Sequence, residues 1–213
     1  GTDVFNPFLK SYVQHFKYQS ISTNQWKDYL FEYFQDQVEI LKGVDWDTWL
    51  YAPGLPPVIP EYHSALSEPC QTLCAKWSDR NADVAQCVSS DVEKFCPAQM
   101  IEFLALLLQE KPLSADRFLR MTKLYGLDGV KNSEIKFRWL RIGLLAKCED
   151  VVPHVTDFLS TVGRMKFVRP LFRDLYAWEE KRPVALSLHD KLKPQMMHVV
   201  SYTLGKDLHI EAK

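Results

Sequence analysis

The sequence is poor in glycine and lacks the glycine-rich loops of nucleotide-binding enzymes. Eight glycines occur in 213 residues, and they form neither GxGxxG nor GxxxxGK, which excludes the usual phosphate-cradling loops. The GxSxG turn that carries a nucleophilic serine is also absent. The six histidines form no HExxH pair, the common zinc signature of metallopeptidases. We therefore expect no catalytic residue within this chain.

An excess of one charge and a long apolar run are missing too. The formal net charge is −1, so no global basic field favours nucleic acid or an anionic membrane surface. The most apolar stretch, residues 100–109, is interrupted by Glu102 and is too short to span a bilayer. No signal-peptide pattern is present at the start. These features predict a cytoplasmic protein with no nucleic-acid or membrane partner.

The cysteines do not form a disulfide framework. Their number is odd and their spacing irregular, which indicates reduced thiols: Cys70, Cys74, Cys87, Cys96 and Cys148. Cys70 and Cys74 are four residues apart and could share a soft metal, but no second Cys or His pair accompanies them. We therefore predict a packing role for both cysteines and no metal site in the chain.

Helix signals run the length of the chain, whereas strand signals are scarce. Residues 3–16 predict one helix, and Ser22 with Gln25 forms a capping box at the start of another. The proline-rich run 45–62 predicts an extended linker. We accordingly place a first domain at 1–52, the linker at 53–60 and a second domain at 61–213.

The second domain shows regularly recurring helix starts. They are expected near Ser64, Pro97, Ser114, Asn132, Asp150, Lys166 and Pro183. From Pro97 onward the starts are evenly spaced and leave room for one helix and a tight turn each time, which is typical of helical solenoids. The fold predicted for this part is therefore all-α, an α-α superhelix of the HEAT or armadillo kind.

The helix predicted over 132–147 is apolar on two sides. Two rows of large side chains follow helical spacing: Ile135, Trp139 and Ile142 in one, and Phe137, Leu140 and Leu144 in the other. Such a helix is sandwiched between neighbours. We expect Lys136, Arg138 and Arg141 to form its solvated edge.

The segment GRMKFVRPLFRDL, residues 163–175, collects four cations where a helix is expected to begin. Gly163 suits a helix end and Pro170 the first turn of the next helix. Each cation there faces the positive end of the helix dipole, which costs about 0.3–1 kcal/mol. A bound anion would offset that cost. In the alternative interpretation the cations are solvated, or paired with acids such as Asp157 or Asp174.

Four blocks in order give the chain a specific resemblance. They are WDTWLYAPGLPP (46–57), NSEIKFRWLR (132–141), GRMKFVRPLF (163–172) and LGKDL (204–208). Together they resemble the C-terminal third of the leukotriene A4 hydrolase and aminopeptidase B-like family of zinc metalloaminopeptidases. The resemblance implies that residues 1–52 are the last helices of a thermolysin-like catalytic domain. It also implies that residues from about 61 form the helical domain that closes one side of the active-site cleft.

The resemblance also gives the cation cluster a role. It implies that Arg164 and Lys166 bind the substrate carboxylate, either of a short peptide or of an epoxide fatty acid. If the chain enters its helix extended, these two side chains point the same way while Met165 and Phe167 face the core. Arg169 and Arg173 are then structural or surface residues. The zinc ligands and the catalytic residues would lie in the catalytic domain of the same polypeptide, upstream of this chain.

Two other functions remain open at this stage. The chain could be a free-standing helical scaffold for protein interactions. It could also be a peptide- or fatty-acid-binding module that uses the same basic pair. Whether a longer parent protein hydrolyses epoxides or only peptides depends on a domain that this sequence does not include.

The isolated 213-residue chain is expected to bind no stoichiometric zinc and to show no aminopeptidase activity, because it lacks a zinc-ligand signature. Metal analysis and a chromogenic aminoacyl substrate provide the measurements. One zinc per chain, or turnover that survives repurification, would contradict this expectation.

Overall fold

The computed structural model describes residues 1–210 and contains no strand within them. The all-α prediction is confirmed. The chain divides into two compact units, Gly1–Tyr62 and His63–Lys213. The first unit contains α1 (Thr2–Phe16), α2 (Thr23–Tyr33), α3 (Val38–Lys42) and α4 (Trp46–Tyr51). The second contains α5 (Glu68–Ser78), α6 (Pro97–Leu107), α7 (Ala115–Tyr125), α8 (Ser133–Leu145), α9 (Val151–Thr161), α10 (Met165–Ala177), α11 (Arg182–Leu192) and α12 (His198–Asp207).

The first unit is held together by aromatic side chains. Phe8 is fully buried, and its ring lies 5.4 Å from the rings of Tyr33 and Phe34. The predicted capping box of α2 is confirmed, since Ser22 and Gln25 exchange side-chain and backbone hydrogen bonds. Such aromatic pairs contribute stability beyond the area they bury.

The segment expected to be extended contains a short helix. Asp45 accepts a hydrogen bond from the backbone N–H of Thr48 and caps α4, so the prediction for the start of 45–62 was wrong. The prolines begin only at Pro53, which restricts Ala52 to the extended backbone it has and leaves α4 ahead of it free to form. Residues 53–60 form no helix.

From Pro97 onward, the helix starts predicted for the second unit agree with the structure to within one residue. Ser114 caps α7 and Asn132 caps α8 through their side chains, and Gly126 ends α7 at a positive φ of 61°. The start expected near Ser64 falls on a turn, and α5 itself begins at Glu68. Helix α12 was not predicted. The HEAT-like repeat geometry stays a prediction.

Helix α8 lies at the centre of the second unit, where it contacts α6, α7, α9 and α10. Both of its predicted apolar rows are buried. Its three cations are only partly exposed and form ion pairs in place of the expected solvated edge, and that of Arg138 is with Glu134 of the same helix. Arg141 binds Asp174 of α10, and the Nζ of Lys136 lies 3.9 Å from Asp157 of α9.

Helix α10 starts within one residue of the predicted position near Lys166, but its proline does not fall in the first turn. It begins at Met165, so Pro170 is its sixth residue and lies inside the helix. The prediction of Pro170 in the first turn was therefore wrong. A proline inside a helix removes one backbone hydrogen bond, and α10 tolerates that loss because five of its apolar side chains are buried.

The described residues contain no helix with the length and apolar character needed to cross a membrane. This finding agrees with the short apolar stretch noted in the sequence.

Gly143 is required for the close packing of α8. A Cβ at this position would lie 2.6 Å from the Phe118 ring and 2.8 Å from a Val151 methyl. We expect Gly143→Ala to lower the free energy of unfolding by about 1–3 kcal/mol, since overlap in a packed core outweighs the better helix propensity of alanine. Chemical denaturation measures the change.

Gly129→Ala is the matched control, because a Cβ there meets nothing within 4 Å. It should change the stability by less than about 0.5 kcal/mol. A Gly143→Ala protein as stable as this control would show that α8 can move away from Phe118 and Val151 without cost.

Candidate carboxylate-binding site

Arg164 lies at the junction of α9 and α10. It is the N-cap residue of α10, with φ −69° and ψ 123°, and its side chain is exposed. The guanidinium lies 5.7 Å from the centre of the Phe167 ring. Among residues 1–210 it forms no ion pair. Arg164 is therefore free to bind an external anion.

Lys166 is already paired within the chain. Its ammonium contacts the carboxylate of Glu134 on α8 and lies 5.1 Å from the centre of the Phe167 ring. The two predicted site residues are thus brought together around Phe167. That ring is buried and packs against Phe137 and Phe158, so the site rests on the core.

Glu134 links two cations. Its carboxylate accepts a hydrogen bond of 2.9 Å from Arg138 on the next turn of α8 in addition to the contact with Lys166. Hydrogen bonds from Lys166 and then Arg138 hold the pKa of Glu134 below its usual value, because both partners favour the charged carboxylate. Sequence reasoning missed this residue, although its four-residue spacing from Arg138 was a visible signal.

The geometry expected for the basic pair is only partly correct. Arg164 is extended as predicted, but Lys166 lies within α10 as its second residue. The alternation of an extended chain therefore does not orient the pair. Nor do the acids considered in the alternative interpretation bind it: Asp174 binds Arg141, and Glu134 is the partner of Lys166.

The other two cations of the segment differ from each other. Arg169 binds Asp207 through two hydrogen bonds of 2.5 and 3.0 Å and thereby ties α10 to α12. This pairing lowers the pKa of Asp207. Arg173 is exposed and has no ion-pair partner within the described residues. Arg169 is thus a structural cation, whereas Arg173 offers an exposed cation on the same helix for comparison.

Among residues 1–210, no three His, Cys, Asp or Glu side chains come close enough together to hold a metal ion. Cys70 and Cys74 are both buried. Burial raises the pKa of the Cys74 thiol to about 11, so the thiolate needed for metal binding is disfavoured. The described residues do not fit the catalytic zinc that the resemblance implies for a parent enzyme.

Comparison with known proteins supports a hydrolase relationship. The family described as "Leukotriene A4 hydrolase, C-terminal" matches residues 95–208. Leukotriene A-4 hydrolase of Xenopus laevis is 44% identical over 213 residues, covering 100% of this chain and 35% of the relative. Leucine aminopeptidase 2 of Emericella nidulans is 35% identical over 212 residues, which cover 98% of this chain and 34% of that relative.

Solved structures give the same result. Yeast LTA4 hydrolase in complex with bestatin superposes with a TM-score of 0.87 at 30% identity, over 99% of this chain and 36% of that one. The native leukotriene A4 hydrolase from Saccharomyces cerevisiae superposes with a TM-score of 0.82. The chain thus spans about a third of the length of the proteins it matches.

The pairing of Lys166 with Glu134 predicts a measurable coupling. In Lys166→Met the pKa of Glu134 should rise towards its usual value but stay below it, because Arg138 still donates to the carboxylate. Titration of the 13C-labelled carboxyl group by NMR provides the value.

Lys206→Met is the control, since Lys206 lies over the Tyr202 ring and not at Glu134. It should leave the Glu134 titration unchanged. An unchanged titration in Lys166→Met as well would mean that the ammonium does not contact Glu134 in solution.

Proposed function

The chain belongs to the leukotriene A4 hydrolase C-terminal domain family, and from this premise we propose that it is the C-terminal part of a longer zinc aminopeptidase. In this proposal the second unit closes one side of the active-site cleft. Arg164 and Lys166 bind the carboxylate of the substrate, which is a short peptide or an epoxide fatty acid. The catalytic zinc is bound by residues of the catalytic domain of the same polypeptide.

The observation that carries the carboxylate role is the unpaired guanidinium of Arg164. Lys166 and Arg138 share the single carboxylate of Glu134, and Arg164 lies over the same Phe167 ring as Lys166 without an acidic partner of its own within residues 1–210, so the cluster keeps a positive excess. A guanidinium with both edges free can bind a carboxylate through two parallel hydrogen bonds. Binding such a group costs less when no internal ion pair has to be broken first.

The two cations have unequal roles in this proposal. Arg164 binds the carboxylate directly, whereas Lys166 adds positive charge from a position fixed by Glu134. An ammonium shared with an internal carboxylate contributes less to an external anion than a free guanidinium does. Arg164 is therefore the main binding residue.

The first unit fits the role of terminal helices of a catalytic domain. Several of its large apolar side chains are exposed, among them Phe5 at 46%, Ile40 at 70% and Trp49 at 47%. Apolar side chains that stay this exposed within a unit are typical of surfaces that bind another part of a protein. The matched relatives are about three times as long, and in this proposal the remaining part of the parent protein covers these side chains.

A free-standing interaction scaffold is less well supported. The similarity to leukotriene A-4 hydrolase runs through both units and across the proline-rich segment between them. A scaffold of stacked helices would need only the second unit. The cytoplasmic location stays a prediction.

In the full-length enzyme, Arg164→Ala should lower kcat/KM for a peptide substrate by about ten- to a hundredfold. Loss of a charge-assisted hydrogen bond to the substrate carboxylate costs roughly 1.5–3 kcal/mol. Lys166→Ala should have a smaller effect because of its pairing with Glu134. Steady-state kinetics on a tripeptide measures both.

The control variant is Arg173→Ala, which removes an exposed cation from the same helix and should leave kcat/KM nearly unchanged. The control substrate is the same tripeptide with an amidated C-terminus. Wild type should prefer the acid, while Arg164→Ala should treat acid and amide alike. Equal discrimination by the two proteins would rule out carboxylate binding by Arg164.

A further inference from the structure

A cavity of about 650 Å³ opens beside Arg164 in the second unit. It lies where the end of α9, the start of α10 and the start of α12 meet. Its walls are mainly apolar and include Leu159, Val162, Met165, Val168, Met196 and Val200. Neither Lys166 nor its partner Glu134 lines this cavity, so the pairing described above does not account for it.

Arg164 is the sole charged residue among those that line the cavity. The hydroxyl of Ser160 donates to the carbonyl of Thr156, and that of Thr161 donates to the carbonyl of Phe158. Both hydroxyls are therefore already used within α9. An apolar cavity with one unpaired cation at its edge is complementary to a carboxylate attached to an apolar group.

We propose that the cavity takes the apolar side chain of the C-terminal residue of a short peptide. This inference rests on the proposed function, because the peptide carboxylate is the group held by Arg164. The cavity then makes the protein selective for peptides that end in residues such as leucine or phenylalanine. The residues that determine this specificity are those of the apolar wall.

Gln195 favours a peptide over a fatty acid as the occupant. Its side chain lines the cavity, is exposed and forms no hydrogen bond within residues 1–210. A side-chain amide can both donate to and accept from the last peptide bond of the ligand. A hydrocarbon chain offers no group for it. Arg164 thus matches the carboxylate of a C-terminal residue, Gln195 matches its peptide bond, and the apolar wall matches its side chain.

The methionines of the chain provide the measurement. Met165, Met196 and Met197 line the cavity, while Met121 is fully buried in the core outside it. We suggest labelling the methionine methyl groups with 13C in the full 213-residue chain and titrating it with Gly-Gly-Leu, Gly-Gly-Ser and Gly-Gly-Leu-amide. Gly-Gly-Leu should shift the three cavity methyls but not Met121. It should bind about tenfold more tightly than Gly-Gly-Ser, as expected for burial of a leucine side chain.

One variant in the apolar wall and one control variant outside the cavity test the proposal without disturbing the core. Met197 is 72% exposed and is the N-cap residue of α12, where aspartate is favoured. Met197→Asp should therefore fold well, yet it places a carboxylate beside the cavity and should weaken Gly-Gly-Leu binding about tenfold. Val88→Asp makes a similar change at an exposed residue outside the cavity and should bind like wild type. Circular dichroism verifies that both variants are folded.

The ligand series separates this inference from the carboxylate role of Arg164. If Gly-Gly-Leu and Gly-Gly-Ser bind equally and the cavity methyls do not shift, the cavity is not the side-chain site, even where the acid still binds better than the amide. If the amide binds as well as the acid, the carboxylate role of Arg164 fails, and the combined site fails with it. Octanoate that binds as tightly as Gly-Gly-Leu would overturn the assignment to a peptide.

Discussion

The close packing of α8 is the constraint on which the second unit depends. This helix contacts four others, and the approach of Phe118 and Val151 to Gly143 leaves no space for a side chain. Because α8 is fixed so tightly, the partly exposed charged residues along it have fixed positions too. Arg141 reaches Asp174 on α10, and Glu134 reaches Lys166 at the start of the same helix. The position of α10, and with it the candidate site, follows from the packing of α8.

The pairing of charges then distinguishes cations that look alike in the sequence. Lys166 and Arg169 are neutralised by Glu134 and Asp207, whereas Arg164 keeps its charge available next to an apolar cavity. A free cation beside an apolar wall can recognise both halves of an apolar residue that carries a carboxylate. The same ion pairs hold α8, α10 and α12 together. Because they engage the carboxylates of Glu134 and Asp207, neither acid is available to pair with Arg164.

Much of the fold was readable from local signals. The caps at Ser22, Ser114 and Asn132 and the glycine at 126 mark helix ends correctly, because each acts through hydrogen bonds or backbone geometry within a few residues. The two errors had different causes: packing of buried side chains in α10, and a local cap that was overlooked at α4. Pro170 lies inside α10 because the buried side chains of that helix hold it together, and α4 forms ahead of the prolines through its Asp45 cap.

The sequence by itself determined the all-α class, the family and the presence of a cation cluster at 163–175, since composition, helix caps and ordered sequence blocks are properties of the chain alone. The tertiary structure decided which cation is free and what lies beside it. The partners of Lys166 and Arg169 are 32 and 38 residues away in the chain, and no local pattern specifies such pairs. The cavity likewise forms from α9, α10 and α12 together, so it exists only once those helices have packed.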